Sequence, residues 1–284
     1  MKTILVDSPG LCHAAKHVMG DLTLEEKKVG VIFGFLNQIL KLAKDLESHK
    51  LVFLWDSRNS YRKQIFSGYK SSRNNKSDED KLLDEIAFHQ FDELREDILP
   101  EIGFKNIFQM DGYEADDLIA KIVEDSDEEF IVVSSDKDLL QILKPNVSLF
   151  FPRTKKFYTV KDFLTEYPRI LPKQWSLVKA IAGCNSDSIP GIEGIGEKTA
   201  VKYLQRKLTP THSAYRKIMD STAIINRNKL LTSLPFEGLS KPVIVSDQLF
   251  MNNLLDVCTR YQFRSLVTGD ALRRWEKNLN MKWS

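Results

Sequence analysis

Two patterns of apolar residues alternate over the first half of the chain. Short apolar and β-branched runs recur at Thr3–Val6, Leu51–Trp55, Lys105–Met110, Phe130–Ser134 and Val147–Phe151. Runs of this length, bounded by polar residues, suit strands covered on both faces. Between them lie stretches with helical spacing, Val29–Leu46 and Ala115–Val123, the second with Leu118, Ile119, Ile122 and Val123 on one face. Strands alternating with helices predict an α/β fold, a mostly parallel central sheet flanked by helices. Beyond about residue 172 the strand signal fades, and helical segments broken at Gly191, Gly194, Gly196 and Pro210 take over. The expected organisation is an α/β core over 1–172 and a mainly helical region over 173–284.

The composition narrows the class without naming a chemistry. At about 150 residues per domain, 284 residues make one large domain or two modest ones. Hydrophobic residues at 42% and charged residues at 28% exclude disordered and collagen-like chains. No apolar run reaches the roughly 18 residues of a membrane span, and Met1–Asp7 has too few apolar residues for a signal peptide. Cys12, Cys184 and Cys258 lie far apart and form neither a disulfide framework nor a zinc pattern. A cytoplasmic protein with no membrane association is expected.

Charge is near balance, at +2 overall, but unevenly placed. Ser57–Lys76 carries Arg58, Arg62, Lys63, Lys70, Arg73 and Lys76 and no acid. Gly196–Thr232 carries Lys198, Lys202, Arg206, Lys207, Arg216, Lys217, Arg227 and Lys229 against Glu197 and Asp220. An acidic stretch from Asp78 to Asp97 separates them. Two basic surfaces on a near-neutral protein suit a phosphate-rich ligand.

Acids recur where strands are expected to end. Asp7 follows the first run and Asp56 the second; the third leads into Glu114, Asp116 and Asp117, and the fourth into Asp136 and Asp138. Any single Asp there could be a turn former or helix cap. Parallel strands, however, bring all of them to one edge, where ligands of open α/β sheets bind. Crowded carboxylates repel unless cations neutralise them, and hard oxygen donors suit magnesium or manganese. Such cations serve phosphoryl chemistry, activating water and neutralising a leaving oxygen. Glu114 and Asp117 are expected to share a helical face if the helix includes Glu114, and Asp136 and Asp138 to point the same way along an extended segment.

A second motif follows. Ile189–Ala200 is apolar and glycine-rich before it opens a helix, with Gly191, Gly194 and Gly196 followed by Lys198, Thr199 and Lys202. Glycines allow close backbone approach, and amides at a helix start bind anions. A hairpin of this kind between two helices can hold duplex phosphates without reading sequence.

With these motifs in order, the chain resembles the 5′-nuclease family: flap endonucleases, phage 5′→3′ exonucleases and the N-terminal nuclease domain of bacterial DNA polymerase I. The resemblance runs from Ile4 to about Pro235 and rests on Tyr113–Asp117, Ser135–Asp138, Ser186–Ala200, and Arg62 with Tyr69–Arg73. It is nearest the free-standing phage or bacterial type. It implies a PIN-like, resolvase-like core, a helical arch at about 57–99, and a helix–hairpin–helix at about 186–204. It also implies a two-magnesium hydrolase of DNA phosphodiesters at 5′ ends, flaps and nicks in replication or repair, with manganese as a substitute. One ion would be held by Asp7, Asp56, Glu114, Asp116 and Asp117, the other by Asp136, Asp138 and Asp187. Lys70 and Arg62 would contact the scissile phosphate. Tyr69 would pack or stack, and Arg73 would touch the backbone. The hairpin, with Gly191, Gly194, Gly196, Lys198, Thr199 and Lys202, would grip DNA and hold a potassium ion. A monomer in a bacterial or phage-infected cell is implied, meeting branched DNA and replication proteins.

The chain departs from the family pattern in two places. Gly183-Cys184-Asn185-Ser186-Asp187-Ser188 stands where the family has Gly-Asp-x-x-Asp-Asn. Cys184 thus replaces a carboxylate of the second ion, and a neutral thiol is a poor magnesium ligand. The alternative reading is therefore a branched-DNA-binding protein with weakened catalysis. A metal-dependent ribonuclease on a related fold would leave the basic segment and the hairpin unexplained. Trp175 is expected to pack the junction of the two regions, and Arg273-Arg274-Trp275 to form an amphipathic helix face.

Overall fold

The computed structural model describes residues 2–48, 50–74 and 76–283. The apolar runs become strands: β1 (Thr3–Asp7), β4 (Leu51–Trp55), β5 (Ile107–Gln109), β6 (Phe130–Val133) and β7 (Val147–Phe151). A small ribbon, β2 (Thr23–Leu24) and β3 (Lys27–Lys28), lies outside them, and β8 (Lys156–Tyr158) closes one edge. The sheet order is β5-β4-β1-β6-β7-β8. Every neighbour is parallel except the β7–β8 pair. The order reverses around β1, so the crevice at its carboxyl end is a topological switch point.

Alternate residues of each central strand enter different cores. Ile4, Val6, Phe53, Ile131 and Val133 pack with the Ser8–Met19 and Gly30–Asp45 helices on one face. Leu5, Val52, Leu54 and Val132 pack on the other with the Ala115–Val123 and Trp175–Ala182 helices. The strands are buried on both sides, which is why they read as unbroken apolar runs.

The chain beyond residue 172 serves both faces. Trp175 is fully buried against Phe163 and Tyr167, at the junction expected of it. Met251, Leu254, Val257, Trp275 and Leu279 instead return to the face lined by the Gly30–Asp45 helix. Trp275 donates its Nε1–H to the Leu266 carbonyl at 2.9 Å, while Arg273 and Arg274 face solvent. Burying each large apolar side chain contributes about 1.5–3 kcal/mol, so these terminal helices belong to the core they cover.

The stretch 57–99 is packed at both ends. Its basic half lies on the Cys184–Ile189 segment, with Tyr69, Cys184, Ile189 and Leu231 in one small core and Phe66 against it. Its acidic half includes the Asp78–Glu93 helix, which lies against the Ser8–Met19 and Gly30–Asp45 helices. Gln90 Oε1 accepts from the Val31 amide at 3.0 Å, and Lys16 and Lys76 both pair with Asp84. No helix among the described residues is long and apolar enough to cross a membrane.

Candidate active site

Strand ends and the turns after them assemble the acids. Asp7 closes β1 and caps the Ser8–Met19 helix, accepting from the Gly10 amide at 3.0 Å and from Ser134 Oγ at 2.7 Å. Asp56 follows β4 and accepts from the Ala115 amide at 2.8 Å, which ties it to the start of the Ala115–Val123 helix. Asp116 stands in the first turn of that helix. Asp136 follows β6 and caps a 3₁₀ turn, accepting from the Asp138 amide at 2.7 Å.

These four carboxyls are all held above their ordinary range. Loss of water in the crevice pushes Asp56 up to about 6, and Glu114 and Asp7 add to the push. The same loss takes Asp136 up to about 6, helped by Asp138, Asp187 and Asp7. Burial also raises Asp7. Asp116 is raised well above the ordinary range, by burial and then by Asp136, Asp7, Asp56 and Glu114 together. A group that so many acids push upward sits at their centre. The oxygen-only donor set and its excess of negative charge fit a hard divalent cation.

Glu114 is differently placed. It is the residue before the helix, with extended backbone, and so does not share a helical face with Asp117. Its carboxylate takes the Lys70 ammonium at 2.8 Å and the Tyr69 hydroxyl at 2.9 Å. Burial opposes its charge, but Lys70 and Arg62 outweigh that and hold it below the usual range. Lys70 has left-handed backbone, φ +55°, and its amide donates to the Asp187 carbonyl at 2.7 Å. Its ammonium also lies 3.9 Å from Asp187. Lys70 therefore stands between the two groups of acids.

Two expected roles are corrected. Asp117 is fully buried, and Arg62 grips both its oxygens, at 2.6 and 2.7 Å. Its remaining lone pairs accept from the Phe236 amide at 2.8 Å and the Glu114 amide at 3.1 Å. Asp117 thus has no oxygen to offer a cation. Arg62, 2% exposed, also donates to the Leu231 carbonyl at 2.8 Å and stacks on Phe236, so it cannot reach a scissile phosphate. Burial opposes its charge, and Asp117 more than restores it. The pair bolts the 231–236 segment to the core. Tyr69 is likewise buried and packs rather than meeting DNA. The Arg73 side chain lies outside the described residues.

The second group of acids is built on turns. Asp138 does not continue an extended segment beside Asp136; it enters the 3₁₀ turn Lys137–Ile142 and faces away toward Cys184. Cys184 ends the short strand β9 (Gly183–Cys184), which pairs with β10 (Ile189–Pro190) around the turn holding Asp187. Donor atoms of Asp138, Cys184 and Asp187 all lie within 4.8 Å of one another. Lys179, which the sequence pattern did not single out, puts its ammonium 3.0 Å from Asp138 and 4.0 Å from Glu197. Burial opposes that charge, and Asp138 overcomes it and raises the lysine. Burial, then Asp138, lifts the Cys184 thiol to about 11. Ser188, in place of the usual Asn, adopts left-handed backbone and joins Ser72 through its hydroxyl at 2.9 Å.

The hairpin lies beside this second group. A Cβ at Gly191 would fall 2.2 Å from the Ala182 carbonyl, so only glycine fits between the two helices. Gly194 has φ +75°; Gly194, Gly196 and Lys198 are exposed where the Glu197–Leu204 helix begins, and Lys202 is exposed in its last turn. Thr199 is half-buried in its first turn.

The model of the 5′-3′ exonuclease N-terminal resolvase-like domain matches residues 2–168. The 5′-3′ exonuclease of Buchnera aphidicola subsp. Schizaphis graminum is 30% identical over 230 residues, covering 79% of this chain and 76% of that protein. The thermostable DNA polymerase I of Thermus aquaticus is 28% identical over 209 residues, but the match spans 24% of the polymerase. Among solved structures, the T5 5′-exonuclease with zinc bound superposes with a TM-score of 0.70 at 22% identity, covering 99% of this chain and 98% of that one. The flap endonuclease of Methanococcus jannaschii shares the fold at a TM-score of 0.55 and 14% identity, over 98% and 92% of the two chains. With its carboxylates gathered at the switch point of a mostly parallel sheet, this chain belongs to the 5′-3′ exonuclease family.

Proposed function

We propose that the protein is a structure-specific 5′ nuclease, hydrolysing DNA phosphodiesters at 5′ ends and flaps with divalent cations, in replication or repair. The gathering of Asp7, Asp56, Asp116 and Asp136 where neighbouring parallel strands end carries this reading, because burial raises all four and other acids raise three of them further. Magnesium, with manganese as a substitute, would supply a Lewis acid and a lowered water pKa when bound. Asp7, Asp56, Asp116 and Asp136 would hold it, with Glu114 oriented by Lys70 and Tyr69 at the rim. Asp138, Asp187 and Cys184 would hold a second cation. The Lys70 ammonium would exchange Glu114 for the phosphate and stabilise its developing charge. Arg62 and Asp117 take no part beyond holding the floor of the site.

The exposed hairpin supports a grip on duplex backbone that ignores base sequence, through the amides after Gly196 and through Lys198 and Lys202. A potassium ion at the hairpin, a monomeric enzyme and action in the cytoplasm complete the proposal. The similarity to the Buchnera exonuclease favours DNA ends as the substrate.

The test is a 5′-flap duplex labelled at each end in turn, incubated with magnesium beside Lys70→Ala. Cleavage at the junction or from the 5′ end, with the variant about 10²–10³-fold slower and still folded, is expected. Binding without cleavage in either magnesium or manganese would overturn the enzyme in favour of a DNA-binding protein.

A further inference from the structure

We propose that the Asp138–Cys184–Asp187 cluster is a thiol-bearing subsite that takes a thiophilic divalent cation, of the zinc or cadmium class, in preference to magnesium. The inference rests on the reading of this cluster as the second cation subsite and adds the identity of its ligand.

The spacing of the donors carries it. Cys184 Sγ lies 3.8 Å from Asp138 Oδ2 and 3.7 Å from Asp187 Oδ2. A sulfur at about 2.3 Å and an oxygen at about 2.1 Å from one tetrahedral ion stand about 3.6 Å apart. Both sulfur–oxygen distances already match that span. The three donors come from two turns, Lys137–Ile142 and Asn185–Asp187, and from the strand end between β9 and the second turn. Cys184 is 6% exposed, so the sulfur is held in place rather than swinging in solvent.

Charge points the same way. When a soft cation binds, the Sγ–H bond breaks, a sulfur–metal bond forms, and the proton leaves to the buffer. Two carboxylates and a thiolate then carry three negative charges, which a divalent ion and the Lys179 ammonium balance. Ser186 Oγ, 3.0 Å from Sγ, can donate to the thiolate. Magnesium offers no comparable gain. It demands near-octahedral oxygen ligands at about 2.1 Å and leaves the thiol protonated. It would then face two carboxylates, one of which, Asp138, already pairs with Lys179. The first group of acids offers oxygen donors and keeps its preference for a hard ion. One enzyme would thus hold cations of two chemical classes a few residues apart.

Cadmium titration of the metal-free protein tests this by its ultraviolet thiolate-to-metal charge-transfer absorption, with proton release followed in weak buffer. One equivalent is expected to saturate the band and release one proton, with magnesium in large excess failing to bleach it. Cys12 and Cys258 are buried in the core; Cys184→Ser should therefore abolish the band. Asp187→Asn, which keeps the thiol, should weaken cadmium binding about tenfold or more, and Asp116→Asn should leave it unchanged. Absence of a band, its survival in Cys184→Ser, or its removal by equimolar magnesium would overturn the proposal. The nuclease reading is scored separately: a band without flap cleavage upholds the subsite and defeats that reading, and cleavage without a band does the reverse.

Discussion

The carboxyls of Asp7, Asp56, Asp116 and Asp136 stand on strand ends and a helix start, and Lys70 at their rim offsets burial at Asp7 and Asp56 only in part. Those of Asp138 and Asp187 stand on short turns, beside a buried thiol and the Lys179 ammonium. Burial keeps the first group raised despite Lys70; in the second, Lys179 pairs directly with Asp138. Rigid elements place the first group, and the β9–β10 turn, which also leads into the hairpin, places the second. The comparison teaches that the two cation subsites need not bind together, or bind the same ion.

The sharpest way to break the comparison is Asp116→Asn. Removing a strongly raised carboxyl should reduce cleavage below detection, yet raise the melting temperature of the metal-free protein, because repulsion is removed. A metal-free variant less stable than the native protein would show that the first group is not strained. Next in size is Arg62→Met, which strands the buried Asp117 charge. Unfolding by urea should show a loss of about 3–5 kcal/mol, and Arg62→Met with Asp117→Leu should recover much of it. Full stability in the single variant would return Arg62 to the candidate phosphate ligands.

A smaller effect follows from pH. Asp56 has its folded-state pKa raised from 3.8 to about 6, so the unfolded chain releases that proton first and stability falls as pH rises across this window. The contribution is on the order of 2–3 kcal/mol by the free energy of a pKa shift. It should appear as a difference between native and Asp56→Asn unfolding curves at pH 4 and pH 7, vanishing when magnesium is added. Equal curves at both pH values would remove the strain assigned to Asp56. The smallest effect is expected at the hairpin. Lys198→Ala should weaken duplex binding uniformly across sequences and lower the salt-dependence slope by about one, read by fluorescence anisotropy at several salt concentrations.

Much of this was legible in the chain. The apolar runs gave five strands because both faces of the sheet are covered, and the acids after the first four runs were enough to locate the crevice. The Ser8–Met19 helix went unread, because β1 enters it directly through Asp7 with no loop residues to mark a boundary. The edge strand β8 has exposed and half-buried residues and no apolar run to announce it. Asp117 looked like its neighbour Asp116, since sequence cannot say which of two adjacent acids turns inward to an arginine 55 residues earlier. Lys179 was hidden in an otherwise apolar helix, and its only signal was a position one turn before Gly183-Cys184. Ser134, which holds Asp7, lay one residue ahead of the motif that drew attention. Cys184 was legible through its departure from the family pattern, with Asp187 three residues on; its contact with the Lys179-paired Asp138 came only with folding.

The difference between the two subsites is most directly tested by single-turnover cleavage of a 5′-flap duplex across a magnesium titration, comparing native protein with Cys184→Asp. The carboxylate should supply the hard ligand that the second subsite lacks and lower the half-saturating magnesium concentration several-fold. An unchanged midpoint would contradict the claim that the thiol sets the second site apart.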